Sequence, residues 1–213
     1  TIKGTLGGPT AELLAILDRP RLGYPTRYGI KGEQAGGTSN VQFSFAIPML
    51  HDLKAEDVGI DVDAELKDVK LPVNEQMKLT GGTFALKLDM KGMKAHGAVQ
   101  VNGAPMGFTW TEDFTGASAN GTRIDVTSTL NEKHRAALGL DTRPYIEGKT
   151  TIVAAFVGNG GKIQKAKVSA NLTAARLSAP ELNWAKPEDA NATLKADIVF
   201  KPNKTFEIAN IDA

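Results

Sequence analysis

The 213-residue chain has no cysteine, which excludes thiolate catalysis, disulfide stapling and cysteine-ligated metal, and is compatible with a reducing or an oxidising compartment. It has almost no charge excess, with 25 Lys and Arg against 24 Asp and Glu, and so no electrostatic footprint for a phosphate backbone. Nucleic acid is not an expected partner. No apolar run is long enough to span a bilayer, and no charged segment followed by an apolar one opens the chain as in a targeting signal. The chain also lacks an initiator Met and both ends read as strands, so we expect an excerpt of a longer protein.

Catalytic and metal-binding patterns are missing too. His51, His96 and His134 fall in a loop, a strand and a helix, none at metal-ligand spacing. Asp61 and Asp63 are half of a cation pattern at most, with no EF-hand glycine and glutamate behind them. Gly158-Asn159-Gly160-Gly161-Lys162 lacks the full phosphate-loop spacing and reads as a hairpin turn. No G-x-S-x-G elbow occurs. Three glycosylation sequons, at Asn120, Asn171 and Asn191, carry no weight. Together these absences predict a protein that is not an enzyme and needs no cofactor.

What is present is alternation. In Ile60-Asp61-Val62-Asp63-Ala64-Glu65-Leu66 every second residue is apolar and every other acidic, so a strand here has one dry face and one wet face. Val41, Phe43 and Phe45, then Phe84, Leu86, Leu88 and Met90, repeat the design. The reading in order is a strand over Thr1–Leu6, a break at Gly7-Gly8-Pro9-Thr10, and a short helix Ala11–Leu17 with Thr10 as its N-cap. A Gly/Pro-rich loop follows to Gly37, then a strand from about Thr38 to Ile47 and a loop over Pro48–Asp57. A long strand runs from about Val58 to Val69, ended by Pro72. Gly81-Gly82, Lys91-Gly92 and Asn102-Gly103 then separate strands near 76–80, 83–90, 93–101 and 105–111, and Asn-Gly is the strongest short signal for a type I′ hairpin. After Asn120-Gly121 come a strand Arg123–Leu130, a helix Glu132–Leu138 capped by Asn131 and stopped by Gly139, a strand Thr150–Val157, a long bent or broken strand Lys162–Leu177, and strands near 192–200 and 204–211.

The sequence also repeats itself. Leu22-Gly23 and Leu138-Gly139 share one separation with Gly32 and Gly148, and Val62, Ala64, Leu66 and Leu71 match Val168, Ala170, Leu172 and Leu177 at a second one, with Lys70 opposite Arg176. We expect a first groove-forming unit over 1–130, including the end strand of a preceding unit, and a second, truncated unit over 131–213 that continues the same sheet. The expected fold is mainly β: a long curled antiparallel sheet with an apolar groove and two short helices.

Several segments resemble the AsmA-like family of Gram-negative bacteria, in its YhdP-like branch: Leu22-Gly23-Tyr24-Pro25, Leu53 to Val58 leading into Ala64 to Val69, Val101 to Met106, Arg135 to Leu140 and Ala179 to Trp184. The resemblance implies a large periplasmic protein, tethered to the inner membrane by an anchor, that carries phospholipid or another acyl-chain lipid toward the outer membrane in the hydrophobic groove of a repeated, curled sheet. The side chains we place along such a groove are Val41, Phe43, Phe45, Ile60, Val62, Leu66, Phe84, Leu86, Leu88, Val99, Val101, Phe108, Trp110, Val168 and Leu172. The competing expectation is a structural β-sandwich module of an envelope assembly protein, with no ligand.

Overall fold

The structure, a computed structural model, describes residues 1–18, 26, 31–49, 51, 57–73, 76–118, 120–201 and 205–212. Eleven strands form one antiparallel sheet that does not close into a barrel. Its strands are β1 (Ile2–Pro9), β2 (Gly36–Ala46), β3 (Gly59–Pro72), β4 (Lys78–Asp89), β5 (Gly92–Val101), β6 (Ala104–Asp113), β7 (Thr122–Leu130), β9 (Thr150–Asn159), β10 (Lys162–Asn171), β13 (Thr193–Phe200) and β14 (Phe206–Asp212), side by side in that order. A small second sheet joins β8 (Ile146–Gly148), β11 (Ala175–Ala179) and β12 (Trp184–Lys186). Helix α1 (Thr10–Leu17) links β1 to β2, and α2 (Glu132–Ala137) links β7 to β8 and β9.

Two of the tight turns show chemistry that the sequence carries. Asn102 and Gly103 take φ of 50° and 81°, both positive as a type I′ turn requires, and join β5 to β6. Asp89 Oδ1 accepts from the N–H groups of Lys91 and Gly92 and so turns β4 into β5. Asn131 caps α2 as expected: its Oδ1 accepts from His134 N–H at 2.9 Å, and His134 Nδ1 faces the Asn131 N–H in return. That places His134 in a structural role.

Four expectations need correction. The extended run does not break at Gly7-Gly8; β1 continues to Pro9, because pairing with β2 through Pro9↔Thr38 holds it straight. Thr10 is therefore the first helical residue rather than the cap, and its buried hydroxyl has no hydrogen-bond partner. Gly81-Gly82 is no turn: β4 runs through it as one strand, and the pair marks a slip in register between Leu79 and Gly81 against β5. Strand β2 begins at Gly36, not Thr38. The long strand from Lys162, expected to be bent or broken, is indeed broken, since β10 ends at Asn171 and β11 leaves for the small sheet. Strands β8 and β12, three residues each, had no alternation to announce them. The segments Leu22 to Pro25 and Leu53 to Glu56 lie outside the described residues.

Pairing also gives the internal repeat a finer alignment. Val41 faces Ala64 in the β2–β3 pair, and Ile152 faces Ala170 in the β9–β10 pair. Farther along, Gly36 faces Lys70 and Glu147 faces Arg176, each after a one-residue slip in the same direction. At the slip sit Gly37 (φ +98°) and Gly148 (φ +92°); a Cβ there would fall 2.6 Å from Asp68 O and 2.9 Å from Ala174 O respectively. Asp68 and Ala174 hold the same separation as Val62 and Val168. Gly148 thus corresponds to Gly37, not to Gly32, because register rather than spacing from the helix fixes the equivalence.

Candidate functional site

Antiparallel register lines up side chains of one face across neighbouring strands. One such row runs Leu6, Val41, Ala64, Leu86, Ala95, Trp110, Ile124, Phe156, Ala166, Ile198 and Ile208, from the first edge strand to the last, apolar at every position. A parallel row runs Leu66, Phe84, Gly97, Phe108, Val126, Ala154, Val168, Ala196 and Ile211. A third holds Phe43, Val62, Leu88 and Met93 before reaching Glu112 and Thr122.

The structure brings the predicted side chains together on this face, Leu172 excepted. Phe45 pairs with Ile60, Val99 lies beside Met106, and Val101 lies between Leu79 and Ala104. Leu172 sits just past β10 and is buried. Val41, Leu66, Val99, Val101 and Leu172 are buried, whereas Phe43, Phe45, Ile60, Val62, Phe84, Leu86, Leu88, Phe108, Trp110 and Val168 are half-buried. The rings, together with Ile60, Val62, Leu86, Leu88 and Val168, are thus the part of the face that remains reachable. The Phe84 and Phe108 rings meet edge to face at 5.6 Å over Gly97, and the Phe43 and Phe45 rings lie 5.3 Å apart.

What bounds this face is polar. At the ends of β7 and β9 the Arg135 guanidinium, 3% exposed, donates to the carbonyls of Gly148 (2.9 Å), Ile146 (2.8 Å) and Leu130 (3.3 Å) and to Thr142 Oγ1 (3.0 Å). Glu132 accepts from the Gly148 N–H, which holds its carboxyl below the usual carboxylate range. Lys186 Nζ is likewise buried among carbonyls, those of Ala175, Pro187 and Thr173. Along the other margin Glu112 is buried against Trp110, Thr122 and Gly161. Sequence reasoning missed all of these, since the partners, though several lie close by in sequence, stand on different elements that only the fold brings together.

Among the described residues, the main contacts of each strand in the large sheet are with its lateral neighbours, while α1 touches β1 and β2, and α2 touches β6, β7 and β8. The opposite face is wet: Asp63 pairs with Lys87 and Glu65 with Lys67, each at 3.3 Å, and the side chains are more than half exposed. Asp61 is exposed there as well, so the acidic residues of β3 act as solubilising charge. A hollow of about 740 Å³ lies on this polar side, bordered by Gln42, Asp63, Lys87, Lys94 and His96. Its mixed charges converge on no ligand geometry.

Neither a family model, nor a curated protein, nor a solved structure gives a match. Among the described residues no group of three His, Asp or Glu is placed to hold a metal ion, and no helix is long and apolar enough to cross a membrane.

Proposed function

We propose that the chain is a lipid-binding segment of an intermembrane phospholipid-transport protein of the AsmA-like kind, holding acyl chains on the apolar face of its sheet between inner and outer membrane. One observation carries this reading: the row from Leu6 to Ile208 is apolar from edge to edge, and among the described residues the elements that pack on the sheet lie at its helix end. Eleven strands at about 4.8 Å make that row about 48 Å long, enough for acyl chains laid across the strands. Each buried methylene is worth about 0.8 kcal/mol, so a chain of about 16 carbons gains on the order of 10 kcal/mol without polar chemistry. Such a protein is no enzyme and needs no cofactor, and it works in the periplasm, tethered to the inner membrane in its full length.

A ligand-free structural module is the competing reading. It is favoured by the position of a hollow of about 740 Å³ on the polar side. Against it stands the half-exposure of Phe43, Phe84, Leu86 and Phe108, which a sandwich partner layer would cover.

Uptake of a fluorescent fatty acid separates the two. Phe43→Asp and Leu86→Asp place a charge on the apolar face and are expected to weaken probe binding at least about tenfold, because a carboxylate there must either lose its water or keep the acyl chain away. Thr83→Asp, on the wet face and exposed, leaves binding unchanged. Equal uptake by all four proteins means that the probe adheres elsewhere and contradicts the reading.

A further inference from the structure

The two halves of the large sheet differ on the wet face. The repeat sets Val41 against Ile152 and Ala64 against Ala170, so Gln42, Ser44 and Ala46, which point outward from β2, correspond to Val153, Ala155 and Val157 of β9. A strand that is mostly polar on this face in one half is apolar on it in the other, and Val153 is 52% exposed. A strand apolar on both faces reads as one that is covered on both. The charge of the next strand changes too. Gly59, Asp61, Asp63 and Glu65 of β3 correspond to Lys165, Lys167, Ser169 and Asn171 of β10. Lys165 and Lys167 are exposed and, among the described residues, make no ion pair.

Register places these charges in mirrored positions. β6 is the middle strand in the order of the sheet, with β3 three strands to one side and β10 three to the other. One outward row runs from Asp63 to Lys165 and the next from Glu65 to Lys167, and they cross β6 at Thr111 and Thr109. A half-turn about an axis along β6, beneath the wet face, keeps every residue in its row and carries β3 onto the place of β10. A second sheet stacked in this way, about 10 Å away, has Asp63 opposite Lys165 and Glu65 opposite Lys167, twice over. Val153 and Ala155 come to lie over Thr83 and Ala85 of the second copy, short side chains that leave them room. The other half-turn in the plane, about an axis across the strands, sets β3 on β3, acid upon acid.

We propose that the wet face is an interface between two copies of this chain, packed back to back about a two-fold axis along β6. Val153, Ala155 and Val157 form its apolar part, and the reciprocal Asp63–Lys165 and Glu65–Lys167 contacts set its orientation. Uncharged Thr109 and Thr111 lie at the axis, where the copies approach each other. Both apolar faces then point outward, so the inference does not rest on what they bind.

The test is sedimentation equilibrium of the full chain at about 50 mM and about 500 mM salt. A concentration-dependent dimer is expected, at least about tenfold weaker at the higher salt. Lys165→Glu with Lys167→Glu in one protein, and Asp63→Lys with Glu65→Lys in another, make both contacts repulsive and are each expected to weaken the dimer at least about a hundredfold. Mixed in equal amounts, the two variants are expected to associate as the parent chain does, because every contact between unlike copies again joins opposite charges. A parent chain that stays monomeric, a dimer insensitive to the reversals, or variants that do not associate on mixing overturns the proposal. So does a monomer held on vesicles of anionic phospholipid through Lys165 and Lys167, which makes a membrane surface the occupant. Should either double variant not fold by circular dichroism, Lys167→Glu and Glu65→Lys alone carry the same mixing test, and the same outcomes decide it.

Discussion

Arg135→Met is expected to lower the unfolding free energy by about 3–5 kcal/mol, measured by urea denaturation followed by circular dichroism. Methionine fills much of the same volume, so the cost is chiefly polar. The guanidinium donates to three carbonyls from β7, β8 and the end of β8, all in a place where water does not reach its 3% exposed side chain. Each acceptor left unsatisfied costs about 1–3 kcal/mol, partly recovered as the site relaxes. Gly148 is held from both sides, its carbonyl by Arg135 and its N–H by Glu132, so the loss also frees the start of β9 from α2. A change below about 1 kcal/mol shows that water replaces the guanidinium and contradicts this account of the helix end.

Gly97→Val is the second large effect, expected at about 3 kcal/mol or more. A Cβ at Gly97 would lie 2.4 Å from Thr83 O and 2.6 Å from Phe84 Cα, so β4 and β5 must part to admit it. The added methyls would also stand between the Phe84 and Phe108 rings, which now meet over the glycine. Gly8→Ala serves as the control, because nothing lies within 4 Å of its Cβ position, and it is expected to change stability by no more than about 0.5 kcal/mol. Equal midpoints for the two variants in urea contradict the close approach of β4 and β5.

Most of this architecture can be read in the sequence because a half-wet sheet writes its period into every strand. The alternation of Ile60 to Leu66 fixes which side chains share a face, and Asn102-Gly103 fixes how β5 returns as β6. Asn131 announces α2 by the same local chemistry. The failures have a common cause, since they depend on partners far away in the chain. Gly81-Gly82 looks like a turn until β5 is known to lie beside it, and Thr10 looks like a cap until β2 straightens Pro9. β8, β11 and β12 pair across remote segments and are too short for a period to appear. Arg135, Lys186 and Glu112 read as ordinary surface charges in sequence; only their burial among carbonyls or hydroxyl and indole donors marks them out.

The repeat follows the same division. Matching apolar residues in β3 and β10 are visible as spacing, but the equivalence of Gly37 with Gly148 emerges from the shared slip in register and from the carbonyl that each glycine lies against. In both places a glycine at positive φ lies against a carbonyl at the slip, Gly37 in the large sheet and Gly148 in the small one, while the apolar rows of the large sheet run on from the strands of the first half into those of the second.

The most direct test of that face is native mass spectrometry of the purified chain from a bacterial host, with organic extraction of what travels with it. The lipid-binding account predicts bound phospholipid, lost in Phe43→Asp and Leu86→Asp proteins that keep their β-sheet circular dichroism. A folded chain that carries no lipid and takes up none from phospholipid vesicles contradicts it.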